Sequence, residues 1–215
     1  MMCLNRPVGR LAKRSVDLVA SSIGLLLLVP IIAIAALAIK LDDGGSVFFR
    51  QVRVGRGGAN FLIWKFRTMT EGADLRGPAI TAEGDVRVTR VGRLLRRTKM
   101  DELPQLINVI FGEMSLVGPR PEVPVFVAGY SADERTLLEV RPGLTDPASL
   151  KYMNEGRILS EVREPLEYYR RVILPEKIAM NMAYQREATL LSDFRIILRT
   201  LFAVLSRGKL PGTRD

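Results

Sequence analysis

The chain has 215 residues, 47% of them hydrophobic, and carries 32 Lys and Arg against 23 Asp and Glu, for a net charge of +9. That length holds a short membrane segment and one domain able to bury its own core, and it excludes two large independent domains. The charge asks for an anionic partner, which composition leaves open among nucleic acid, an anionic leaflet and phosphorylated substrates. With no histidine and one cysteine, Cys3, the chain excludes histidine bases and metal ligands, an internal disulfide and cysteine-rich zinc sites. Carboxylates, Lys, Arg, hydroxyls and hard cations remain as its chemistry.

Residues Leu18 to Ile39 are uncharged and almost wholly apolar. As one helix they would reach ~33 Å, enough to cross a hydrocarbon core of ~30 Å. Pro30, in the middle of the run, predicts a kink or break near Leu28 and Val29. Arg6, Arg10, Lys13 and Arg14 precede the run and Lys40 follows it, so positive charge on both flanks frustrates a single crossing. A helix–break–helix that enters and leaves by one face satisfies both flanks. A cleaved signal peptide is not expected, because no small-residue site ends the run. The division is residues 1–40, a basic N-terminus with the membrane helix, and residues 41–215, one further domain.

Val47 to Arg53 and Asn60 to Thr68 are rich in β-formers and flank Gly55-Arg56-Gly57-Gly58, which predicts a β-hairpin. Leu62, Trp64 and Phe66 then share one face, while Phe61, Ile63, Lys65 and Arg67 share the other, with Lys65 and Arg67 side by side. The glycines read as a turn, since no Walker lysine or helix follows them. Gly72 to Gly84 reads as a loop.

Six basic side chains lie between Arg87 and Lys99, and Asp101 and Glu102 follow at once. Leu103, Leu106, Ile107 and Ile110 recur at helical spacing, so a helix starts near Pro104. The dipole at that start favours ionised Asp101 and Glu102 and, with the arginines, attracts phosphate. On spacing alone, a simple helix cap with a solvated arginine face accounts for the same residues. Gly118-Pro119-Arg120-Pro121 holds one guanidinium between two prolines. Near the C-terminus, Phe194, Ile197, Leu198, Leu201, Phe202 and Leu205 form an apolar stripe opposite Arg195 and Arg199, with Ser192 or Asp193 as cap. Such a helix suits a membrane interface, with core packing as the ordinary alternative.

In order, KRSVDL and the proline-interrupted run, FFRQVRVGRGG, FLIWKFRTM, RVTRVGRLLRRTKMDELPQLINVIFGEMSLVGPRP and RPGLT resemble the bacterial sugar transferases that act as monotopic polyprenyl-phosphate phosphoglycosyltransferases. The similarity runs over roughly residues 13 to 205. It implies a membrane-associated α+β fold with a re-entrant helix broken at Pro30, a small hairpin, a mainly helical catalytic domain and interfacial amphipathic helices. The implied reaction is Mg²⁺-dependent transfer of a sugar-1-phosphate from a UDP-sugar to polyprenyl phosphate with release of UMP, at the cytoplasmic face of a bacterial inner membrane. Asp101 would be the nucleophile and metal ligand, and Glu102 its partner. Arg96, Arg120 and Lys65 would handle phosphate, and Lys13 and Arg14 would stand at headgroup level. Nucleic acid is not an expected partner, and self-association is left open.

Two features depart from the family pattern. Val29 stands where members often have serine before the proline, and Asp146 to Tyr152 replaces a Gly-Trp-type segment after RPGLT, so the sugar does not carry over. Two other readings, a silent membrane scaffold of the same fold and a membrane-anchored nucleic-acid-binding module, explain less. The scaffold gives no reason for both acids, and the nucleic-acid module none for MDELPQLINV beside GPRP.

Overall fold

The computed structural model describes residues 7–73, 77 and 80–206; Cys3 and Arg6, and part of the loop expected between Gly72 and Gly84, lie outside the described residues. Helix α1, Pro7–Asp43, is long and apolar enough to cross a membrane by length and composition. Pro30 lies inside it without ending it, so the break expected near Leu28 and Val29 is not an interruption of the helix. A proline removes a single N–H donor, and the neighbouring turns carry helical hydrogen bonding past the gap.

Residues on both sides of Pro30 pack on the same domain. Before it, Arg14 donates to the carbonyls of Val109 and Ile110 at 2.6 and 2.9 Å, and Asp17 accepts from Ser115 Oγ at 2.8 Å and Leu116 N–H at 3.1 Å. After it, Ala35 and Ile39 join Phe66 and Leu95 in a buried cluster, and Asp42 accepts from Val91 N–H at 3.0 Å. The opposite face of α1, including Val19, Ile23, Leu26, Leu27, Ile34 and Leu37, is exposed. An exposed apolar face of this extent is foreign to a water-facing surface.

Strands β1, Phe48–Val54, and β2, Asn60–Phe66, form the expected antiparallel hairpin, with Phe48 opposite Phe66 and Val54 opposite Asn60. Gly57 and Gly58 take positive φ in the turn, a conformation only glycine adopts freely. Ile63 and Phe66 are buried, each stabilising the fold by about 1.5–3 kcal/mol relative to exposure. Lys65 and Arg67 do not stay together: Lys65 turns to Glu102, whereas Arg67, just past the strand, forms ion pairs with Asp43 at the end of α1.

Helix α2, Arg90–Arg97, is capped by Thr89 and leads through a 3-10 turn, Met100–Glu102, into α3, Gln105–Phe111. Strand β3, Ser115–Val117, pairs in parallel with β4, Gly143–Thr145. The chains cross so closely that a Cβ on Gly143 would lie 2.1 Å from the Gly118 nitrogen. Glycine is required in both GPRP and RPGLT for this contact. Short helices α4 (Pro124–Val127), α5 (Pro147–Lys151), α6 (Glu155–Ser160) and α7 (Pro165–Tyr168), a π turn at Tyr169–Ile173 and helix α8 (Leu174–Glu187) enclose a second core around Phe126, Leu159, Tyr169 and Ile173.

Helix α9, Leu190–Leu205, is capped by Thr189 in a reciprocal box with Ser192. Asp193 is therefore not the cap expected from its position; it is buried and ion-paired with Lys13 at 2.5 Å. Ile196 and Ala203 face inward, while Phe194, Leu198, Leu201, Phe202 and Leu205 stay exposed beside Arg195 and Arg199.

Candidate active site

The acidic pair sits on a tight backbone bend. Lys99 has φ 57°, the one positive φ among the described non-glycine residues, and the 3-10 turn after it presents Asp101 and Glu102 in succession. A left-handed lysine is a strained position, of the kind that holds site residues in place. Pro104 closes the turn and starts α3, as its place in the sequence predicts.

Glu102 receives two cations. Arg120 donates from Nη1 to Oε2 at 3.1 Å and from Nη2 to Oε1, and Lys65 Nζ donates to Oε1 at 3.2 Å. The first contact comes from the Pro-Arg-Pro segment after β3 and the second from β2, so Glu102 ties the hairpin to the parallel pair. Burial alone would push the Glu102 carboxyl up; Arg120 and Lys65 outweigh it and hold the group well below the usual carboxylate range. Glu102 in turn raises the Arg120 guanidinium above its ordinary value, while burial lowers the Lys65 ammonium.

Asp101 behaves oppositely. It is buried, its Oδ1 has no hydrogen-bond partner among the described residues, and burial followed by the Glu102 charge pushes its carboxyl above the usual range, against the pull of Lys65, Lys99 and Arg96. A helix start favours the ionised form of both acids, and the net push on Glu102 agrees; at Asp101 the loss of water outweighs the backbone dipole and moves the carboxyl above its ordinary value. Adjacent carboxyls with opposed environments are the arrangement that separates an acid–base or nucleophilic role from a structural one.

Arg96 Nε donates to Thr68 Oγ1 at 2.8 Å, and its charge is felt at Asp101. Thr68, just past β2, is a supporting residue that the sequence did not single out. The same holds for Gln105, which begins α3 one turn beyond Asp101 and has both side-chain polar atoms buried without partners among the described residues. Arg96, Asp101, Glu102, Lys65 and Arg120 therefore form one electrostatic cluster. Lys13 and Arg14 stand elsewhere: Lys13 pairs with Asp193 on α9, and Arg14 satisfies carbonyls at the end of α3.

Among the described residues no group of three or more Asp, Glu, Cys or His residues could hold a metal. Magnesium does not need one. It is commonly bound through one or two carboxylates completed by water and substrate phosphates, and the unpartnered Oδ1 of Asp101 fits that demand. Glu102 is already engaged by its two cations.

The profile of the family described as bacterial sugar transferase matches residues 8–207. The chain is 42% identical over 206 residues to the UDP-glucose:undecaprenyl-phosphate glucose-1-phosphate transferase of Caulobacter vibrioides, an alignment covering 94% of this chain and 73% of that protein. It is 36% identical over 219 residues to the exopolysaccharide production protein ExoY of Rhizobium meliloti, covering 94% and 90%. It is also 41% identical over 145 residues to the UDP-N-acetylgalactosamine-undecaprenyl-phosphate N-acetylgalactosaminephosphotransferase of Aeromonas hydrophila, covering 66% and 34%.

Proposed function

The chain belongs to the bacterial sugar transferase family and is a phosphoglycosyltransferase; from that membership and the acidic cluster we propose that it moves a sugar-1-phosphate from a UDP-sugar to undecaprenyl phosphate, through a covalent adduct on Asp101, in exopolysaccharide assembly. The observation that carries the covalent step is the buried Asp101 carboxyl, whose Oδ1 has no hydrogen-bond partner among the described residues, next in sequence to Glu102 with its Arg120 and Lys65 ion pairs and within the field of Arg96.

In the first half-reaction an Asp101 carboxylate oxygen attacks the phosphorus that bears the sugar, and the bond from that phosphorus to the UMP oxygen breaks, UMP leaving with the electron pair. In the second, a phosphate oxygen of the lipid attacks the same phosphorus and the carboxylate departs, giving a diphosphate-linked lipid sugar and free Asp101. Arg96 and Arg120 stabilise charge on the transferring phosphoryl group. Glu102 keeps Arg120 and Lys65 in place. Asp101 with the substrate phosphates would hold Mg²⁺, which supplies further charge neutralisation when bound.

We place the reaction at a membrane surface, on the cytoplasmic face of the bacterial inner membrane. Contacts to one domain from both sides of Pro30 support an α1 that does not carry its two ends to opposite sides. A two-step transfer suits this setting, because the soluble and lipid substrates need not be bound together. The printed names of the relatives include both glucose and N-acetylgalactosamine, so the sugar is a matter for assay. UMP release and lipid-linked sugar should be measured with Mg²⁺ and undecaprenyl phosphate over a panel of UDP-sugars. One donor should give both products in equal amounts; release of UDP instead of UMP would contradict the reaction.

A further inference from the structure

The six basic side chains between Arg87 and Lys99 do not form one patch. Arg87 is paired with Asp85, and Arg96 turns inward to Thr68. On α2, Arg90, Arg93, Leu94 and Arg97 fall within a single sector of about 100°. All four are exposed, Leu94 to 61%. Among the described residues none of these three arginines meets a carboxylate; Arg93 donates to the Val88 carbonyl at 3.3 Å. The other side of α2 is buried, with Leu95 and Val91 packed on Ala35 and Ile39 of α1.

That packing sets the height of α2. Val91 N–H donates to Asp42, just beyond Lys40, where the apolar run of α1 stops. With α1 in a bilayer, the outward face of α2 lies at the headgroup level of the leaflet that α1 enters. One leucine flanked by three guanidinium groups that meet no carboxylate among the described residues matches a surface with an apolar interior and phosphate-bearing heads. We infer that α2 is a docking element for anionic phospholipids: Leu94 enters the acyl boundary, Arg90, Arg93 and Arg97 take lipid phosphates, and leaflet charge sets how firmly the site is seated over its lipid substrate. This rests on the membrane reading of α1, and not on the covalent mechanism.

The test uses the full chain in nanodiscs of phosphatidylcholine alone or doped with phosphatidylglycerol. A Cys3→Ser, Leu94→Cys chain carries an environment-sensitive fluorophore at position 94, with thermal unfolding in detergent matched to the wild type. Emission should shift to the blue in the doped discs only and revert at high salt, since surface electrostatics are screened. Adding Arg90→Gln, Arg93→Gln and Arg97→Gln should abolish the shift, each arginine being worth about fivefold in affinity for an anionic surface. In unlabelled protein, wild-type turnover should be higher in the doped discs, and the triple variant should lose that difference while keeping its rate of UMP release in detergent. Equal emission in both discs overturns the proposal. A triple variant whose KM for the UDP-sugar rises in detergent, with no response to leaflet charge, overturns it too and assigns the arginines to the nucleotide. Failure to enter either disc overturns it together with the membrane reading, whereas absent UMP release in detergent counts against the reaction alone.

Discussion

Arg120 grips Glu102 through both terminal nitrogens, one on each carboxylate oxygen, while Lys65 approaches the same group from β2 at 3.2 Å. One carboxylate thus ties together the hairpin, the acidic turn and the segment after β3. The neighbouring Asp101 is left with an oxygen that no group among the described residues claims.

Replacing Arg120 by lysine keeps the charge and loses the two-pronged geometry. One nitrogen cannot hold both Glu102 oxygens and still face a phosphate. The first half-reaction should slow by about a hundredfold, the ~3 kcal/mol typical of a lost preorganised donor. Rapid-quench measurement of UMP release checks this, and wild-type release would reduce Arg120 to a structural residue.

The two acids should have opposite effects on stability. Glu102, held low by its cations, contributes stability that is present above its unfolded value and is lost as pH falls through its folded value. Glu102→Gln should therefore cost about 3 kcal/mol at neutral pH, because it leaves buried cations unpaired, and the difference from wild type should shrink in acid. Asp101, pushed up by burial, opposes folding once pH rises beyond its unfolded value, and this penalty is full above its raised folded value. Asp101→Asn should raise the melting temperature at neutral pH while abolishing activity. Thermal melts from acid to neutral pH distinguish the two; a destabilised Asp101→Asn would show that burial does not govern this carboxyl.

The topology of α1 is checked through Cys3, the single thiol in the sequence. If both flanks of the apolar run lie on the cytoplasmic side, Cys3 resists a membrane-impermeant thiol reagent in intact cells and reacts after lysis. Pro30→Leu, which restores the missing donor and relieves the clash, should increase labelling of intact cells by favouring a crossing helix. Full labelling of the wild type before lysis would establish that α1 crosses.

Local chemistry was legible in the sequence and distant pairing was not. Alternating β-formers around a glycine turn located β1 and β2, and Pro104 with its apolar periodicity located α3. Lys65, Arg96, Asp101, Glu102 and Arg120 were named together only through the family resemblance, and no spacing rule joins Arg120 to Glu102. The parallel pairing of Ser115 with Gly143 and of Val117 with Thr145 brings distant segments together and left only its two glycines as a trace. Asp193 looked like a cap because caps are local, yet Lys13, far away in sequence, claims it. The upward push on the Asp101 carboxyl comes from burial, which a helix start by itself does not reveal.

The central claim is the covalent bond to Asp101. Enzyme given UDP-sugar and Mg²⁺ without lipid acceptor should release about one equivalent of UMP per site, since Asp101 is consumed once in each turnover. The peptide containing Asp101 should gain the mass of one sugar phosphate, and adding undecaprenyl phosphate should discharge it to product; Asp101→Asn should do neither. No UMP burst and no adduct, with steady-state kinetics requiring both substrates bound together, would contradict the account and assign the attack to the lipid phosphate itself.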